Sequence, residues 1–276
     1  MKTNGELRKE AREALRGLWL WRLLGVIFAL QAVANAARHL LSAYNREAGV
    51  VEISAFIARK AAALQEGLDF ALPSQEAYRR MLLAGGLEYL VGALFGAIAL
   101  FGVTAVVLRA LRDDSEGWLS SGFGGFRRPL DVTFLFLAQN LIVAFWTLVL
   151  VVPGIVAAYR YRLAWYLKCE NPDWGAWKCL GESARMMKGF KGRAFGFDLG
   201  FLAMMFPAAL ALAACAHRYG VSGGGIGFAV CALVFSAATL ALVYLTAWFV
   251  TGRAAFYREV KSLQPEQPRD DLSRND

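Results

Sequence analysis

Long apolar runs constrain this chain more than any other feature of its sequence. Each approaches the roughly 20 residues that a helix needs to cross the hydrocarbon core of a bilayer. The 57% hydrophobic content of the 276 residues, with only 19% charged, exceeds what a soluble domain of this length requires. The sequence therefore predicts an all-α, polytopic integral membrane helix bundle. The runs cover residues 18–41, 86–110, 132–152, 194–216 and 226–250.

A sixth crossing is predicted where the third run meets Pro153 and Gly154. Proline lacks an amide hydrogen and glycine tolerates φ > 0, so this pair is expected to break the helix. No charged residue lies between Asp131 and Arg160, whereas residues 160–193 carry eight Lys/Arg against three Asp/Glu. Basic loops are typical of the cytoplasmic side, whereas a tight turn on the other side can lack charge. An uncharged turn followed by a basic segment therefore favours a hairpin.

The basic loops on both sides of this hairpin imply an even number of crossings between them. The chain is expected to turn at the Pro-Gly pair and to return through 155–170. This gives about six transmembrane helices, with the hairpin between helices 3 and 4. Both termini are then expected to be cytoplasmic.

Residues 1–262 are predicted to form a single transmembrane domain, followed by a C-terminal tail. Three segments of this domain and the tail are expected to lie outside the bilayer core. The first is an amphipathic interfacial helix with a capping box formed by Thr3 and Glu6. We expect the others to be an extracytoplasmic segment, a cytoplasmic amphipathic helix and a disordered tail. The four segments cover residues 1–17, 42–84, 171–190 and 263–276.

The predicted cytoplasmic helix begins after Asn171, with Pro172 in its first turn, and has two chemically distinct faces. Its aromatic residues share one face, and basic residues lie on the other face or follow the last turn. Such a helix is expected to lie flat on the bundle and on anionic lipid. The residues that carry this prediction are Trp174, Trp177, Arg185 and Lys188.

Four charged residues fall within the predicted membrane region. Arg160 is expected to lie deeper than Arg162, which can reach the cytoplasmic interface. Glu88 and Asp198 are candidate counter-charges for Arg160. The sequence leaves open whether this cluster is a structural ion pair or part of a functional polar path.

The net charge of +8 is explained by basic loops that face anionic lipid, so nucleic acid is not expected as a partner. The four cysteines have no CxxC spacing, and the two histidines lack the context of a catalytic or metal-binding motif. We therefore predict no catalytic residues, no metal and no cofactor. Membrane lipids, including anionic lipid at the cytoplasmic face, are the expected partners, together with a possible protein partner of unknown kind.

Several short motifs resemble a bacterial integral membrane family known as domain of unknown function 975. The resemblance implies a six-helix protein of the bacterial inner (cytoplasmic) membrane, multi-pass, without an assigned reaction. A more distant similarity links it to the membrane part of some glycerophosphodiester phosphodiesterases. The matching motifs are Pro153-Gly154-Ile155, Arg160-Tyr161, Ala164, Tyr166, Glu170-Asn171-Pro172-Asp173, Glu182-Ser183, Arg185, Met187-Lys188-Gly189, Phe195, Asp198-Leu199 and Ala254-Ala255-Phe256-Tyr257-Arg258-Glu259, with Glu6-Leu7 through Gly17 at the start.

Three hypotheses about function remain open. The sequence favours a non-catalytic protein that acts through lipid or protein contacts. The first alternative is a transporter or channel-like protein with a polar path around Arg160 and Asp198, because irregular backbone at membrane depth suits such sites. The second alternative is an intramembrane lipid-modifying enzyme, for which the sequence offers no catalytic constellation.

Overall fold

All secondary structure in the computed structural model is helical across the residues it describes, which are 2–47, 53–66, 74–219 and 226–264. A short 3₁₀ helix, Gly124–Arg127, precedes α6. The α-helices are α1 Asn4–Ala14, α2 Leu18–Glu47, α3 Ile53–Gln65, α4 Gln75–Ala110, α5 Trp118–Gly122, α6 Pro129–Val149, α7 Val151–Arg160, α8 Ala164–Glu170, α9 Ala176–Met186, α10 Lys191–Tyr219 and α11 Ile226–Ser262.

Five of these helices are long and apolar enough to cross a membrane, namely α2, α4, α6, α10 and α11. They correspond to the five apolar runs, and the protein is a multi-pass membrane protein. The predicted return segment 155–170 is not one helix. It comprises most of α7, a turn at 161–163 and α8.

The chain reverses direction at Leu150, not at Pro153-Gly154. Leu150 is extended, with φ −161° and ψ 140°, and separates α6 from α7. Pro153 occupies the first turn of α7, where a missing amide hydrogen costs nothing because no intrahelical acceptor is available there. The predicted corner was wrong by three residues because proline can begin a helix as well as end one.

Gly154 has a packing role at this corner. Its φ is not positive, but a Cβ built on it would lie 2.7 Å from the Cα of Thr147. Residues seven apart in a continuous helix are separated by about 10.5 Å along the axis. The contact between Gly154 and Thr147 therefore shows that α7 folds back closely on α6.

Helix α1 packs its apolar face against α11. Leu7 and Ala11 are completely buried, and the indole Nε1 of Trp248 donates to the backbone oxygen of Arg8 at 2.8 Å. The guanidinium of Arg8 reaches α10 and donates to the backbone oxygen of Phe197 at 3.2 Å. These contacts attach the amphipathic helix to the bundle, whereas its location at the membrane surface stays a prediction.

The predicted capping box at the start of α1 is confirmed. The Glu6 amide donates to the Thr3 hydroxyl oxygen at 3.2 Å, and the Thr3 amide donates to the Glu6 carboxylate at 2.5 Å. The backbone and side-chain hydrogen bonds from Thr3 hold the pKa of Glu6 below its ordinary value.

Replacing Thr3 with alanine is expected to destabilise α1 by about 1 kcal/mol, because the cap loses its side-chain acceptor. Hydrogen exchange of residues 4–14 should then become faster, while α9 serves as an internal reference. Unchanged exchange in residues 4–14 would mean that packing on α11, and not the cap, holds the helix.

The predicted extracytoplasmic segment 42–84 contains α3 and parts of two longer helices. The end of α2 and the beginning of α4 extend into it on either side of α3. Residues 48–52 and 67–73 lie outside the described residues, as do 265–276 of the predicted disordered tail.

Helix α9 is shorter than the predicted 171–190. Its N-cap is Gly175, so Asn171 and Pro172 precede the helix instead of starting it. The buried face of α9, which includes Cys179, Leu180 and Ser183, packs against α6 and α8. The face that was expected to lie on the bundle and on lipid therefore packs largely on the bundle.

Helices α4, α6, α7, α10 and α11 form a closed ring. Helix α6 packs against α4 and α7, α7 packs against α10, α10 against α11, and α11 against α4. This ring encloses the polar residues described below.

Candidate functional site

A cluster of charged residues lies inside this ring. The Arg162 guanidinium makes two hydrogen bonds to the Asp198 carboxylate, at 3.1 and 3.2 Å. Arg253 from α11 donates to the same carboxylate at 2.8 Å, and the Tyr159 hydroxyl donates to it at 3.1 Å. Both oxygens of Asp198 are thus engaged, and the cluster joins α7, α10 and α11.

The structure reverses the expected roles of the two adjacent arginines. The side chain of Arg162 is only 9% exposed, whereas Arg160 is exposed at the end of α7 with its guanidinium 5.6 Å from the centre of the Tyr161 ring. The turn at 161–163 causes this reversal. Because it interrupts the helix, the Arg162 side chain points in a different direction from the one that a continuous helix would give it. Arg162, and not Arg160, therefore needs the buried counter-charge.

Ser183 of α9 stabilises this turn. Its hydroxyl donates to the backbone oxygen of Arg160 at 3.0 Å and accepts the amide of Leu163 at 3.1 Å. The interrupted helix leaves these backbone groups without their usual partners, and a buried unpaired group would cost about 1–3 kcal/mol. The completely buried Ser183 satisfies both.

Glu88 does not belong to the cluster. Its carboxylate accepts a hydrogen bond from the side-chain amide of Asn45 at 2.8 Å, which links α4 to α2. The expected pairing of Glu88 with Arg160 was therefore wrong. The partner of Glu88 is the neutral Asn45 of α2, which a search for opposite charges does not suggest.

A cavity of about 360 Å³ adjoins the charged cluster. This volume falls within the range of small-molecule sites, roughly 300–1,000 Å³. Seven of its lining residues carry polar side chains, which is unusual inside a membrane bundle. The lining residues are Leu100, Thr104, Gln139, Ala158, Tyr159, Arg162, Trp165, Tyr166, Asp198 and Arg253.

Only Arg162 and Asp198 of these ten residues are among the predicted site residues. Among the others, Thr104 is a single polar residue in an apolar run, and Gln139 is one of two consecutive amides in another. Arg253 follows the last apolar run, where it resembles an ordinary cytoplasmic flank. Their polarity was a visible signal, but only the packing of α4, α6 and α11 brings them to one cavity.

The cavity has a surplus of positive charge and incomplete hydrogen bonding. Two guanidiniums face one carboxylate. Arg253 Nε and Gln139 Oε1 are buried and have no partner among the described residues. Both atoms expose less than 1 Å² of surface, so they lie behind the cavity wall, while the polar groups of the same two residues border the cavity.

Next to the cavity-lining Tyr166 lies what we call the Glu170 cluster, formed by Glu170, Arg112, Tyr257 and Lys261. The Glu170 carboxylate accepts hydrogen bonds from Arg112 at 2.6 Å, from Tyr257 at 2.6 Å and from Lys261 at 2.5 Å. The Tyr257 ring stacks on the cavity-lining Tyr166 with centroids 5.0 Å apart. These contacts join the ends of α4, α8 and α11.

The predicted interfacial residues lie away from the cavity lining. Trp177 is exposed and meets Phe134 edge to face, and Lys178 stacks over Trp174. Arg185 pairs with Glu182 within α9, and Lys188 is exposed just after the helix.

Two acidic residues in the loop after α4 are already paired with neighbouring side chains. Asp114 pairs with Arg109 at 2.5 Å, and Asp113 accepts the indole hydrogen of Trp19 at 3.0 Å. Among the described residues, no group of three or more His, Cys, Asp or Glu side chains is arranged to hold a metal ion.

Comparison with known proteins gives one match. No curated protein and no solved structure matches this chain. Residues 128–264, about half of the chain, match the model of a family described as "Protein of unknown function (DUF975)". The matched region contains α6 to α11 and hence the whole Arg162–Asp198–Arg253 cluster. Through this region, the chain belongs to the DUF975 family.

Proposed function

We propose that the chain crosses the bacterial cytoplasmic membrane six times, with both termini cytoplasmic. The segment from Val151 to Glu170 supplies the additional crossing. It comprises 20 residues, or about 30 Å if helical, which matches the hydrocarbon thickness and the length of α6. A return that began at residue 155 would have only about 24 Å of helix, which is shorter than the hydrocarbon core. A return that begins at Val151 is long enough.

Contacts between helix ends support the orientation. The ends of α4, α8 and α11 meet in the Glu170 cluster, and α1 packs on α11, so these elements share one end of the bundle. That end is rich in Lys and Arg, including Arg112, Arg258 and Lys261. The cytoplasmic side of membrane proteins carries this excess.

The function that the site supports best is non-catalytic binding of an anionic oxygen group, either the phosphate of a membrane lipid or a soluble phosphate. The observation that carries the proposal is the surplus guanidinium in the cavity. Arg162 and Arg253 share the single carboxylate of Asp198, and Arg253 retains a buried, unpaired Nε. The Arg253 side chain is 40% exposed, so water screens part of its charge, but an anion beside both guanidiniums would still be attracted by their surplus positive charge. Arginine also binds phosphate oxygens with favourable geometry.

The engagement of Asp198 argues against acid–base chemistry in this cavity. Its two oxygens accept four hydrogen bonds, two from Arg162 and one each from Arg253 and Tyr159. A carboxylate so occupied is poorly available to take a proton from a substrate. Its role is to orient the guanidiniums.

Substituting Arg253 with glutamine is expected to weaken phosphate binding at least about tenfold, because a charge-assisted hydrogen bond is lost. The protein is placed in neutral-lipid nanodiscs, and its melting temperature is followed against inorganic phosphate at constant ionic strength. A parallel set of nanodiscs contains an anionic phosphodiester lipid and no free phosphate. The matched control is Arg127→Gln, which removes one exposed charge from the 3₁₀ helix before α6.

The two arms identify the source of the anion. Stabilisation by lipid alone indicates a headgroup, and stabilisation by free phosphate alone indicates a soluble ligand. If neither stabilises the wild-type protein, or if Arg253→Gln binds as the wild type does, the proposal is wrong.

Transport is a second candidate because a polar cavity lies within a ring of helices. Many transporters bind their substrates at polar sites between membrane helices. Phosphate uptake into vesicles that contain the protein would favour transport, whereas stable binding without uptake would favour the non-catalytic function.

A further inference from the structure

We infer that the anion bound in this cavity belongs to a membrane phospholipid, one acyl chain of which lies in a gap between α7 and α10. This inference rests on the proposed function and commits it to one source of the anion. It follows from two apolar side chains, Ile155 and Leu202, that are exposed where the alignment of the two helices predicts that they are buried.

Three contacts show how α7 and the turn after it align with α10. The Tyr159 hydroxyl donates to the Asp198 carboxylate at 3.1 Å, and the Tyr159 ring meets Phe195 edge to face with centroids 5.9 Å apart. Arg162 Nη1 donates to the backbone oxygen of Ala194 at 3.5 Å. The later residue, Arg162, thus reaches the earlier part of α10, so the two segments run antiparallel.

One helical turn from these contacts, towards the corner of the hairpin, the antiparallel alignment places Ile155 opposite Leu202. Each of them lies four residues from a contact residue, Tyr159 or Asp198, and therefore on the same face of its helix. Apolar side chains between closely packed helices are buried. Ile155 is 45% exposed and Leu202 is 61% exposed. The two helices therefore meet at the charged cluster and leave a gap beside it.

This gap adjoins the cavity and has apolar walls. Ala158, Tyr159 and Asp198 line the cavity at the place where α7 meets α10. Because both helices belong to the proposed membrane crossings, the gap faces hydrocarbon. A hydrated phosphate ion could enter this way only at the high cost of placing a charge in hydrocarbon, whereas an acyl chain has no such barrier.

A phospholipid matches both the cavity and the gap. Its phosphate supplies the negative charge that Arg162 and Arg253 attract, and its chains are apolar. With the phosphate at the charged cluster, one chain passes Ala158 and lies between Ile155 and Leu202. A free phosphate would occupy the cavity but leave this gap unfilled.

The test compares a lipid with its own headgroup. Purified protein in maltoside detergent is titrated with dioleoyl phosphatidylglycerol or with glycerophosphoglycerol, which is the same phosphodiester without acyl chains. The melting temperature reports affinity at constant ionic strength, and native mass spectrometry reports how many lipids bind. We expect the wild-type protein to bind a single lipid at least about tenfold more tightly than the headgroup.

Leu202→Trp is expected to weaken lipid binding about tenfold, because the indole fills the gap and displaces the acyl chain. Ile155→Trp fills the gap from α7 and should have the same effect. Any binding of glycerophosphoglycerol should stay unchanged in both variants. Both positions are exposed, so neither substitution overpacks the core.

The matched control is Leu210→Trp, which adds the same bulk at an exposed position of α10. The antiparallel alignment places Leu210 beyond the start of α7, so this variant should bind the lipid as the wild type does.

Equal affinity of the wild-type protein for lipid and headgroup overturns the lipid inference but leaves anion binding intact. Unchanged lipid binding in Leu202→Trp or Ile155→Trp also overturns it, as does an equal loss in Leu210→Trp, because the chain would then not lie in the gap. If neither compound binds to the wild-type protein, the proposed function itself is wrong.

Discussion

Replacing Asp198 with asparagine is expected to lower the free energy of unfolding by about 3–5 kcal/mol, the largest effect of any substitution considered. Asparagine keeps the volume of aspartate but removes its charge, which leaves Arg162 with a side chain 9% exposed and no carboxylate. The loss is measured as a lower melting temperature in detergent and a lower yield of monodisperse protein. Tryptophan fluorescence or size-exclusion chromatography after heating can report both.

The matched control for this substitution is Asp173→Asn. Asp173 pairs with Arg128 at 2.8 Å, but its side chain is 82% exposed, so solvent compensates for the lost charge. The double variant Arg162→Met/Asp198→Met should be less destabilised than Asp198→Asn, because it removes the buried cation together with its partner. Equal stability of Asp198→Asn and the wild-type protein would show that Arg162 does not depend on this carboxylate.

The second large effect is expected at the corner between α6 and α7. Gly154→Ala should destabilise the fold by about 1–3 kcal/mol, the usual cost of overpacking a well-packed contact. The new Cβ would lie 2.7 Å from the Cα of Thr147, and backbone atoms cannot move away as a flexible side chain can. The melting temperature should fall, and the corner should become more accessible to a thiol reagent at a cysteine introduced at Leu150.

Gly92→Ala on α4 is the control for Gly154→Ala. A Cβ at Gly92 meets nothing within 4 Å, so the added methyl group should be neutral or slightly stabilising through helix propensity. If both alanine variants melt at the wild-type temperature, α7 does not fold back as closely on α6 as the contact with Thr147 indicates.

The hydropathy pattern predicted the architecture well. Five apolar runs correspond to five helices that are long enough to cross a membrane, because the hydrocarbon thickness imposes a length that is readable in one dimension. The reversal near the end of the third run was also predictable from the absence of charge followed by a basic return. Its exact position was not, because Pro153 is equally suited to the first turn of a new helix.

The assignment of Arg160 and Arg162 shows why local pattern was insufficient at the site. Helical periodicity places the two side chains in fixed relative directions, but the turn at 161–163 abolishes that periodicity. The turn depends on Ser183, which lies 20 or more residues away and satisfies the interrupted backbone. A contact of this range has no signature in the local sequence.

Gln139 and Asn140 illustrate the same limit within one regular helix. Two consecutive amides occur in an apolar run, and the sequence alone does not indicate which of them faces the interior. The packing of α6 between α4 and α7 decides this, turning Gln139 towards the cavity and Asn140 outwards. The polar cavity is therefore a property of the ring of helices and not of any single segment.

The sequence by itself determined that this protein is a bundle of membrane-crossing helices. The composition of a segment sets its free energy of transfer into hydrocarbon, and its length decides whether it spans the bilayer. The tertiary structure alone decided which charges meet. Arg162, Asp198 and Arg253 are far apart in sequence, and an ion pair in a low-dielectric interior depends on distances of about 3 Å that only helix packing can set.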